Sequence, residues 1–260
     1  MNAKAEDHSE ITLGFHGVKY CAPNHTATPI LSDITLQIRR GETVALLGRS
    51  GSGKTTLLKL VNRLLKPSAG EIFVNGQPND RMDLIRLRRG IGYVIQEGGL
   101  FPHYTVAENI GLVPGLEGWG RDRIEARIAE MMKLVGLELG EYGGRKPREL
   151  SGGQRQRVGV ARALAVDPKI LLMDEPFGAL DPVTRAELQN EFADLARRLG
   201  KTILFVTHDL REAMRVGSRI VLLSGGKMVA DARREEFLRV EHPEVRAFAA
   251  SFAMPNEVRA

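Results

Sequence analysis

The chain has 260 residues, 43% hydrophobic and 27% charged, with a formal net charge of +5, a balance that is typical of globular proteins and excludes a disordered chain. No apolar run approaches the roughly 20 residues of a membrane span, and Met1 to Glu10 lacks the apolar segment of a signal peptide, so we expect a soluble protein. The single cysteine, Cys21, excludes a disulfide framework within the chain and fits a reducing compartment.

The N-terminal region has the pattern of antiparallel strands. Apolar residues alternate with polar or small ones from Ile11 to His16 and from Ile34 to Ile38, as in strands with one exposed face. Farther along, Glu71 to Val74 is a strand that leads into Asn75-Gly76, a dipeptide that favours a tight hairpin. These elements predict an antiparallel β subdomain.

The stretch from Thr43 to Leu58 has the most informative pattern in the chain. An apolar run is followed by a glycine-rich loop and then by apolar residues at helical spacing, so we expect a strand, a loop and a helix. Glycines in such a loop allow positive φ and bring backbone N–H groups close to an anion at the helix N-terminus. The pattern G-x-x-x-x-G-K-[ST] predicts a nucleotide site formed by Gly48, Arg49, Ser50, Gly51, Ser52, Gly53, Lys54, Thr55 and Thr56.

Two side chains of this loop have specific predicted roles. Lys54 can reach the β- and γ-phosphates, and the Thr55 hydroxyl can hold Mg²⁺. An ordinary glycine-rich turn between a strand and a helix is the alternative interpretation. The helix after the loop is predicted to have one apolar face, formed by Leu57, Leu58, Val61, Leu64 and Leu65.

Strand patterns end with Ile91 to Gln96, and helical patterns replace them. The clearest predicted helix is Asp122 to Val135, whose apolar residues lie near one face. We therefore predict a mainly helical subdomain, about residues 97–166, inserted into an α/β domain of residues 1–235. Residues 236–260 are predicted as a short helical extension.

Buried parallel strands are predicted in the second half of the chain, at Ile170 to Met173 and Ile203 to Val206, where the apolar runs are continuous. Between them, Asp181-Pro182 has the residues of a helix start, and Gly200 those of a helix end. Arg219 to Ala230 is predicted as a hairpin. This alternation of β and α is typical of an α/β fold.

Two carboxylates stand at the carboxyl end of the strand Ile170 to Met173, the edge at which open α/β sheets bind ligands. Asp174 is a candidate for holding Mg²⁺, directly or through water. Glu175 is placed to polarise an attacking water, the general-base task in phosphoryl transfer. Ordinary turn chemistry at a strand end is the alternative interpretation.

The stretch Leu150 to Val158 begins a helix in an unusual way. Ser151 and Gln154 have the spacing of a capping box, which by itself explains both residues. Gly152 and Gly153, however, lie in the first turn, and glycine within a helix costs about 1 kcal/mol relative to alanine. The close approach of another group would explain them, and the helix N-terminus would form a second anion site.

Six short motifs in this order make the chain resemble the ABC ATPases, the nucleotide-binding subunits of ABC transporters. Residues 48–55 match the Walker A loop, and the strand that ends in Asp174 and Glu175 matches Walker B with its catalytic glutamate. The other matches are Gln96 to the Q-loop, Leu150 to Gln154 to the LSGGQ signature, Ala179-Leu180-Asp181 to the D-loop and His208 to the switch histidine. The resemblance covers nearly the whole chain and implies a P-loop NTPase fold that binds ATP and Mg²⁺.

The resemblance also implies roles for these residues. Two copies would pair head to tail, so that Ser151, Gly152 and Gly153 of one close over the γ-phosphate bound by the other, and Gln154 and Asp181 would complete that nucleotide site. Gln96 would sense Mg²⁺ and the attacking water, and His208 would contact the γ-phosphate and help orient the water. Taken singly, Gln96, Asp181 and His208 have ordinary interpretations as a strand-end residue, a helix cap and a surface histidine.

Members of this family stack an aromatic side chain near the N-terminus on adenine. Tyr20 is the candidate in this sequence. Phe15, His16 and His25 are alternatives, and an ordinary core position for Tyr20 is another.

Within the family, Gly92 to Ile110, followed by Leu112-Val-Pro and Gly118-Trp119, looks like the importer ATPases for glycine betaine, choline and related quaternary amines. This resemblance implies a permease as partner, a periplasmic or lipid-anchored substrate-binding protein as an indirect one, and a peripheral position on the cytoplasmic face of the membrane. Many members of that group carry C-terminal CBS domains, for which a sequence ending at Ala260 has no room.

Other functions of the same fold are an importer of another substrate class, a DNA-repair or chromosome-associated ATPase, and a cytosolic assembly ATPase. The DNA-associated forms usually contain a long coiled coil or a zinc insertion. This sequence has neither heptads nor Cys/His clusters, and its arginines are scattered among acids, so no nucleic acid partner is expected.

Overall fold

The structure is a computed structural model that describes residues 11–23, 28–96, 99–178 and 180–253. Its strands are β1 (Ile11–Tyr20), β2 (Leu31–Arg39), β3 (Thr43–Leu47), β4 (Ala69–Val74), β5 (Gln77–Pro78), β6 (Ile91–Val94), β7 (Ile170–Asp174), β8 (Thr202–Thr207), β9 (Arg219–Ser224) and β10 (Lys227–Arg233). Its helices are α1 (Lys54–Val61), α2 (Leu84–Arg89), α3 (Val106–Leu116), α4 (Arg121–Leu134), α5 (Leu139–Tyr142), α6 (Gly152–Leu164), α7 (Pro182–Leu199), α8 (Leu210–Val216), α9 (Arg234–Phe237) and α10 (Pro243–Ala253).

These strands form two sheets. The larger runs in the order β10-β9-β3-β8-β7-β6 and is parallel except for β10, whereas the smaller, β2-β1-β4-β5, is antiparallel. The predicted α/β fold with an antiparallel β subdomain is therefore confirmed.

The larger sheet is buried on both faces. Along β3, Ala45 and Leu47 lie in one apolar core with α6, α7 and α8, and Val44 and Leu46 lie in a second core with α1 and the smaller sheet. A strand between two cores needs apolar residues on both of its faces, which explains the continuous apolar run.

Helices α3 to α6 occupy the interval between β6 and β7, where the sequence predicts an inserted helical subdomain. Because α6 also packs against β6, it contacts the sheet directly. The boundaries of the subdomain, about 97 and 166, stay a prediction. Among the described residues, no helix is both long and apolar enough to cross a membrane.

Two local predictions differ from the structure, and one helix is additional to those predicted. Helix α1 ends at Val61, because Arg63 adopts a positive φ of 53°, so the predicted apolar face does not continue and Leu64 is exposed. Strand β6 ends at Val94, two residues before Gln96. Helix α8, a seven-residue helix after β8, is not predicted from the sequence.

Candidate active site

The loop between β3 and α1 places glycine where other residues would be strained or would collide. Gly51 and Gly53 have φ of 79° and 99°. A Cβ added at Gly53 would lie 2.5 Å from Leu31 Cδ2, and one added at Gly48 would lie 2.5 Å from the Leu223 carbonyl oxygen. Glycine at these positions therefore lets the loop pack closely against Leu31 and Leu223 and take the positive φ values that shape it.

Two features of this loop fit an anionic ligand. Gly53 is the N-cap of α1 and provides no side-chain hydrogen bond, so no side chain caps the N–H groups of the first helical turn. The Ser52 hydroxyl is buried and, among the described residues, has no hydrogen-bond partner. A phosphate oxygen would accept hydrogen bonds from the first-turn N–H groups and from the Ser52 hydroxyl.

Lys54 brings a positive charge into the loop. Its ammonium group is buried and donates hydrogen bonds to the carbonyl oxygens of Gly48 at 2.8 Å and Arg49 at 2.9 Å. Burial lowers the pKa of Lys54, and the nearby charges of Glu175 and Asp174 oppose that shift. The cation thus lies between the loop and two carboxylates.

Asp174 and Thr55 meet at the carboxyl edge of the sheet. The Thr55 hydroxyl, in the first turn of α1 beside Thr56, donates a hydrogen bond of 2.8 Å to Asp174 Oδ1 at the end of β7. Burial raises the pKa of Asp174, the bond from Thr55 lowers it, and the like charge of Glu175 raises it further. A hydroxyl and a carboxylate are oxygen donors of the kind that Mg²⁺ prefers, so the pair fits the predicted metal position.

Glu175 and His208 face each other one step beyond the strand ends. His208 Nδ1 lies 3.3 Å from Glu175 Oε2, and the backbone N–H of Glu175 donates to the Val206 carbonyl oxygen at 3.2 Å. Glu175 has a φ of 44°, a conformation that costs a residue other than glycine about 1–3 kcal/mol and is found mainly at functional sites.

A cavity of about 440 Å³ opens in front of this pair and the phosphate loop. It is lined by Arg49, Ser50, Glu175, His208 and Phe248. Phe248 belongs to α10, and the same helix contacts the loop through Glu244, whose carboxylate lies 3.2 Å from Arg49 Nε. The C-terminal helix therefore forms one wall of the cavity, a feature that the sequence did not predict.

The signature-like stretch begins α6 as a complete capping box. Gln154 N donates to Ser151 Oγ at 3.2 Å, and Ser151 N donates to Gln154 Oε1 at 2.8 Å. A Cβ at Gly153 would lie 2.8 Å from Thr184 Cγ2 of α7, so a close approach within the chain explains this glycine. The role of Ser151, Gly152 and Gly153 toward a second copy stays a prediction.

The remaining predicted residues lie at the ends of other elements. Asp181 caps α7 by accepting a hydrogen bond from Thr184 N at 3.0 Å, which lowers its pKa. Gln96 is exposed just beyond β6. Tyr20 ends β1 with its side chain only 8% exposed, in the core beside the smaller sheet, and its carbonyl accepts from Ile30 N.

Phe15 is also fully buried, so its ring is closed to a base, whereas His16 is exposed and contacts Phe73. Stacking of Tyr20 on adenine stays a prediction, although the burial leaves little of the ring free. His25, Gly98 and Ala179, and residues 254–260 of the predicted extension, lie outside the described residues.

Sequence reasoning missed a buried carboxyl next to this site. Glu212 on α8 is only 4% exposed and accepts a hydrogen bond from Thr207, the residue before His208. The spacing of Asp209 and Glu212, an N-cap residue and an acid three positions later, is the signal that could have indicated a helix here.

Comparison with known proteins places this geometry in context. A family model described as ABC transporter matches residues 31–178. The chain is 49% identical over 208 residues to the osmoprotectant import ATP-binding protein OsmV of Salmonella typhimurium, covering 80% of this chain and 54% of that protein. It is 52% identical over 209 residues to the glycine betaine/carnitine/choline transport ATP-binding protein OpuCA of Bacillus subtilis, covering 80% and 55%. The chain thus spans about half the length of these relatives.

Two solved structures have the same fold. One is the ATP-binding cassette MJ0796 in a dimeric post-hydrolysis state bound to ADP and Pi, with 33% identity, a TM-score of 0.77 and coverage of 85% of this chain and 98% of that one. The other is cbiO1 from Clostridium perfringens, part of the ABC transporter complex cbiONQ, with 28% identity, a TM-score of 0.81 and coverage of 95% and 96%.

Lys54→Ala removes the buried cation of the loop. We expect nucleotide affinity to fall by about 10- to 100-fold, because a hydrogen bond to a charged group contributes about 1.5–3 kcal/mol. Titration with a fluorescent ATP analogue measures this, and Lys66→Ala in the exposed turn after α1 is the matched control. Equal affinity for the two variants would remove Lys54 from the phosphate site.

Proposed function

Because the chain belongs to the ABC transporter family, we propose that it is an ATP-hydrolysing nucleotide-binding subunit that powers a separate membrane permease. The observation that carries this proposal is the convergence at one sheet edge of a buried lysine, the Thr55–Asp174 hydrogen bond and the Glu175–His208 pair. Phosphoryl transfer requires positioning and charge stabilisation, and these residue types supply both.

The proposed nucleotide site uses the loop for the phosphates of ATP. Its backbone N–H groups and Lys54 would hold the β- and γ-phosphates, with Thr55, Asp174 and Gln96 around Mg²⁺. When bound, this ion would neutralise charge on the phosphates. Support comes from the buried hydroxyl of Ser52, which lacks a partner among the described residues and would gain one.

The proposed hydrolytic groups lie in front of the γ-phosphate position. Glu175 would accept a proton from the attacking water, and His208, whose Nδ1 is 3.3 Å from that carboxylate, would help to orient it. Phe248 closes part of the same cavity and would limit access of bulk water.

Glu175→Gln should keep nucleotide binding and remove turnover, because the amide fills the same volume without accepting the proton. Loss of a general base typically lowers the rate by about 10² to 10⁴, or 3 to 5 kcal/mol of barrier. Steady-state release of phosphate, measured beside a binding titration, tests this directly. Turnover close to that of the unmodified chain would exclude Glu175 as the base.

We propose that two copies pair head to tail around two ATP molecules. Ser151, Gly152 and Gly153 at the start of α6 would meet the γ-phosphate bound by the other copy, with Gln154 and Asp181 beside them. Ser151 is exposed at that helix end, and the cassette MJ0796 is described as dimeric with ADP and Pi.

Ser151→Asp tests the proposed contact of Ser151 with the other copy's phosphate separately from its role as the N-cap of α6. Aspartate is a good N-cap, so α6 should remain stable, but its charge would repel a phosphate of the other copy. In a Glu175→Gln background, we expect an unchanged melting temperature and no ATP-dependent dimer by light scattering. Thr105→Asp, which makes the same kind of change at the N-cap of α3, should still dimerise. A dimer in both variants would refute the head-to-tail arrangement.

The proposed cargo is a quaternary amine such as glycine betaine or choline. Support comes from relatives named as osmoprotectant and glycine betaine/carnitine/choline ATP-binding proteins at about half identity. The permease would then be the direct partner and a periplasmic or lipid-anchored binding protein an indirect one, with the chain on the inner face of the membrane. An importer of another substrate class, or an ATPase outside transport, is the alternative that a negative uptake assay would favour.

The proposed permease contact is the segment from Gly99 to Tyr104. Phe101 is 42% exposed, and its ring packs near those of His103 and Tyr104, with centroids 6.0 and 5.6 Å away. The fully buried Asn109 fixes this segment, since it accepts from Phe101 N at 2.8 Å and donates to Phe101 O at 3.2 Å. Exposed aromatic groups on an ordered segment are typical of an interface.

Phe101→Asp should leave folding and ATP binding unchanged, because the side chain is exposed, but should weaken co-purification with the permease and abolish uptake of betaine or choline. Ile85→Asp on α2, another exposed apolar residue, is the matched control and should support uptake. If Phe101→Asp co-purifies and supports uptake as the control does, this segment is not the permease contact.

A further inference from the structure

A buried carboxyl group lies behind His208. Glu212 is 4% exposed, and its Oε2 accepts a hydrogen bond of 2.6 Å from the Thr207 hydroxyl. A carboxylate is costly to bury unless hydrogen bonds or charges compensate it, so the partners of Glu212 indicate what its burial serves.

The hydroxyl of Thr207 connects both sides of His208. It donates to Glu212, and it accepts a hydrogen bond of 2.9 Å from the backbone N–H of Asp209. His208 lies between Thr207 and Asp209 in the sequence, so the two hydrogen bonds of the Thr207 hydroxyl fix the backbone on each side of His208. A hydroxyl has one proton, and donation of that proton to Glu212 leaves its lone pairs for the Asp209 N–H.

A cation on the neighbouring helix acts on the same carboxyl group. Arg185 of α7 donates from Nη2 to the Leu180 carbonyl oxygen at 2.9 Å, so it is anchored next to Asp181. Burial raises the pKa of Glu212, and the negative charge of Asp209 raises it further. The hydrogen bond from Thr207 and the charges of Arg185 and His208 lower it. Glu212 is thus coupled by a hydrogen bond to the residue before His208 and by charge to a cation anchored beside Asp181.

An ordinary helix-capping role does not account for Glu212. Asp209 is the N-cap of α8 and accepts from Arg211 N at 2.7 Å, but the Glu212 side chain bonds to the Thr207 hydroxyl in the strand. The hydrogen bond of Glu212 therefore connects α8 to the last residue of β8, on the other side of His208, and does not cap the helix.

We propose that Glu212 is a positioning residue that acts through Thr207 to hold His208 against Glu175. For its kinetic readout this inference rests on the proposed ATP hydrolysis. It adds a buried group whose effect on hydrolysis depends on His208.

The experiment is a double-mutant cycle with two conservative controls. Glu212→Ala should lower kcat about tenfold with little change in KM, since small displacements of a catalytic group are costly, and in a His208→Gln background it should have no further effect. Glu212→Gln keeps an acceptor for Thr207 and should retain most turnover. If Glu212→Ala does not fold, Thr207→Val against Thr207→Ser makes the same comparison, because only the serine keeps the hydroxyl.

A second readout does not depend on turnover. The imidazole resonances of His208 are assigned by their absence in His208→Gln. They should move farther in Glu212→Ala than in Glu212→Gln, which removes the same charge but keeps an acceptor, and farther in Thr207→Val than in Thr207→Ser. Equal loss of kcat with and without His208, or unmoved resonances in the disruptive variants, would overturn the inference. A chain that hydrolyses no ATP would refute the proposed function, and the resonances would still decide the role of Glu212.

Discussion

The hydrogen bond between the Thr55 hydroxyl and Asp174 is the contact on which the site depends. It joins residues 119 positions apart and forms only because the sheet order β3-β8-β7 brings two strand ends to one edge. The bond opposes the rise in the pKa of Asp174 that burial causes, and the charges of Lys59 and Lys54 oppose that rise as well. The buried charges of Asp174 and Lys54 are therefore tolerable together, where each alone would be costly to bury.

Local chemistry explains what could be predicted from the sequence. The capping box of Ser151 and Gln154, the Asp181 cap of α7 and the hairpin at Asn75 and Gly76, whose φ values are 51° and 77°, each depend on residues a few positions apart. The continuous apolar runs of β7 and β8 indicate strands that are buried on both faces, and every residue of these strands is buried.

Features set by distant contacts could not be predicted in this way. Glycine at 153 is required by Thr184, which approaches from α7, and no local pattern indicates that distance. Leu64 continues the apolar spacing of α1, yet it is exposed because the backbone turns at Arg63. The wall that Phe248 adds to the cavity and the burial of Glu212 likewise depend on how α10 and α8 pack.

The two proposed hydrolytic residues are positioned by the sheet itself. Asp174 pairs with Val206 in the β7–β8 register, so Glu175 and His208 leave adjacent strand ends, and the bond from Glu175 N to the Val206 carbonyl continues the ladder by one step. Strand pairing therefore places the two residues opposite each other, and the contacts of Thr207 set how His208 is held there. Ser151 and Asp181 instead stand at helix N-termini that pack on each other through Gly153 and Thr184. Helix packing thus positions Ser151 and Asp181, whereas strand pairing places Glu175 and His208, so different contacts position the two sets of residues.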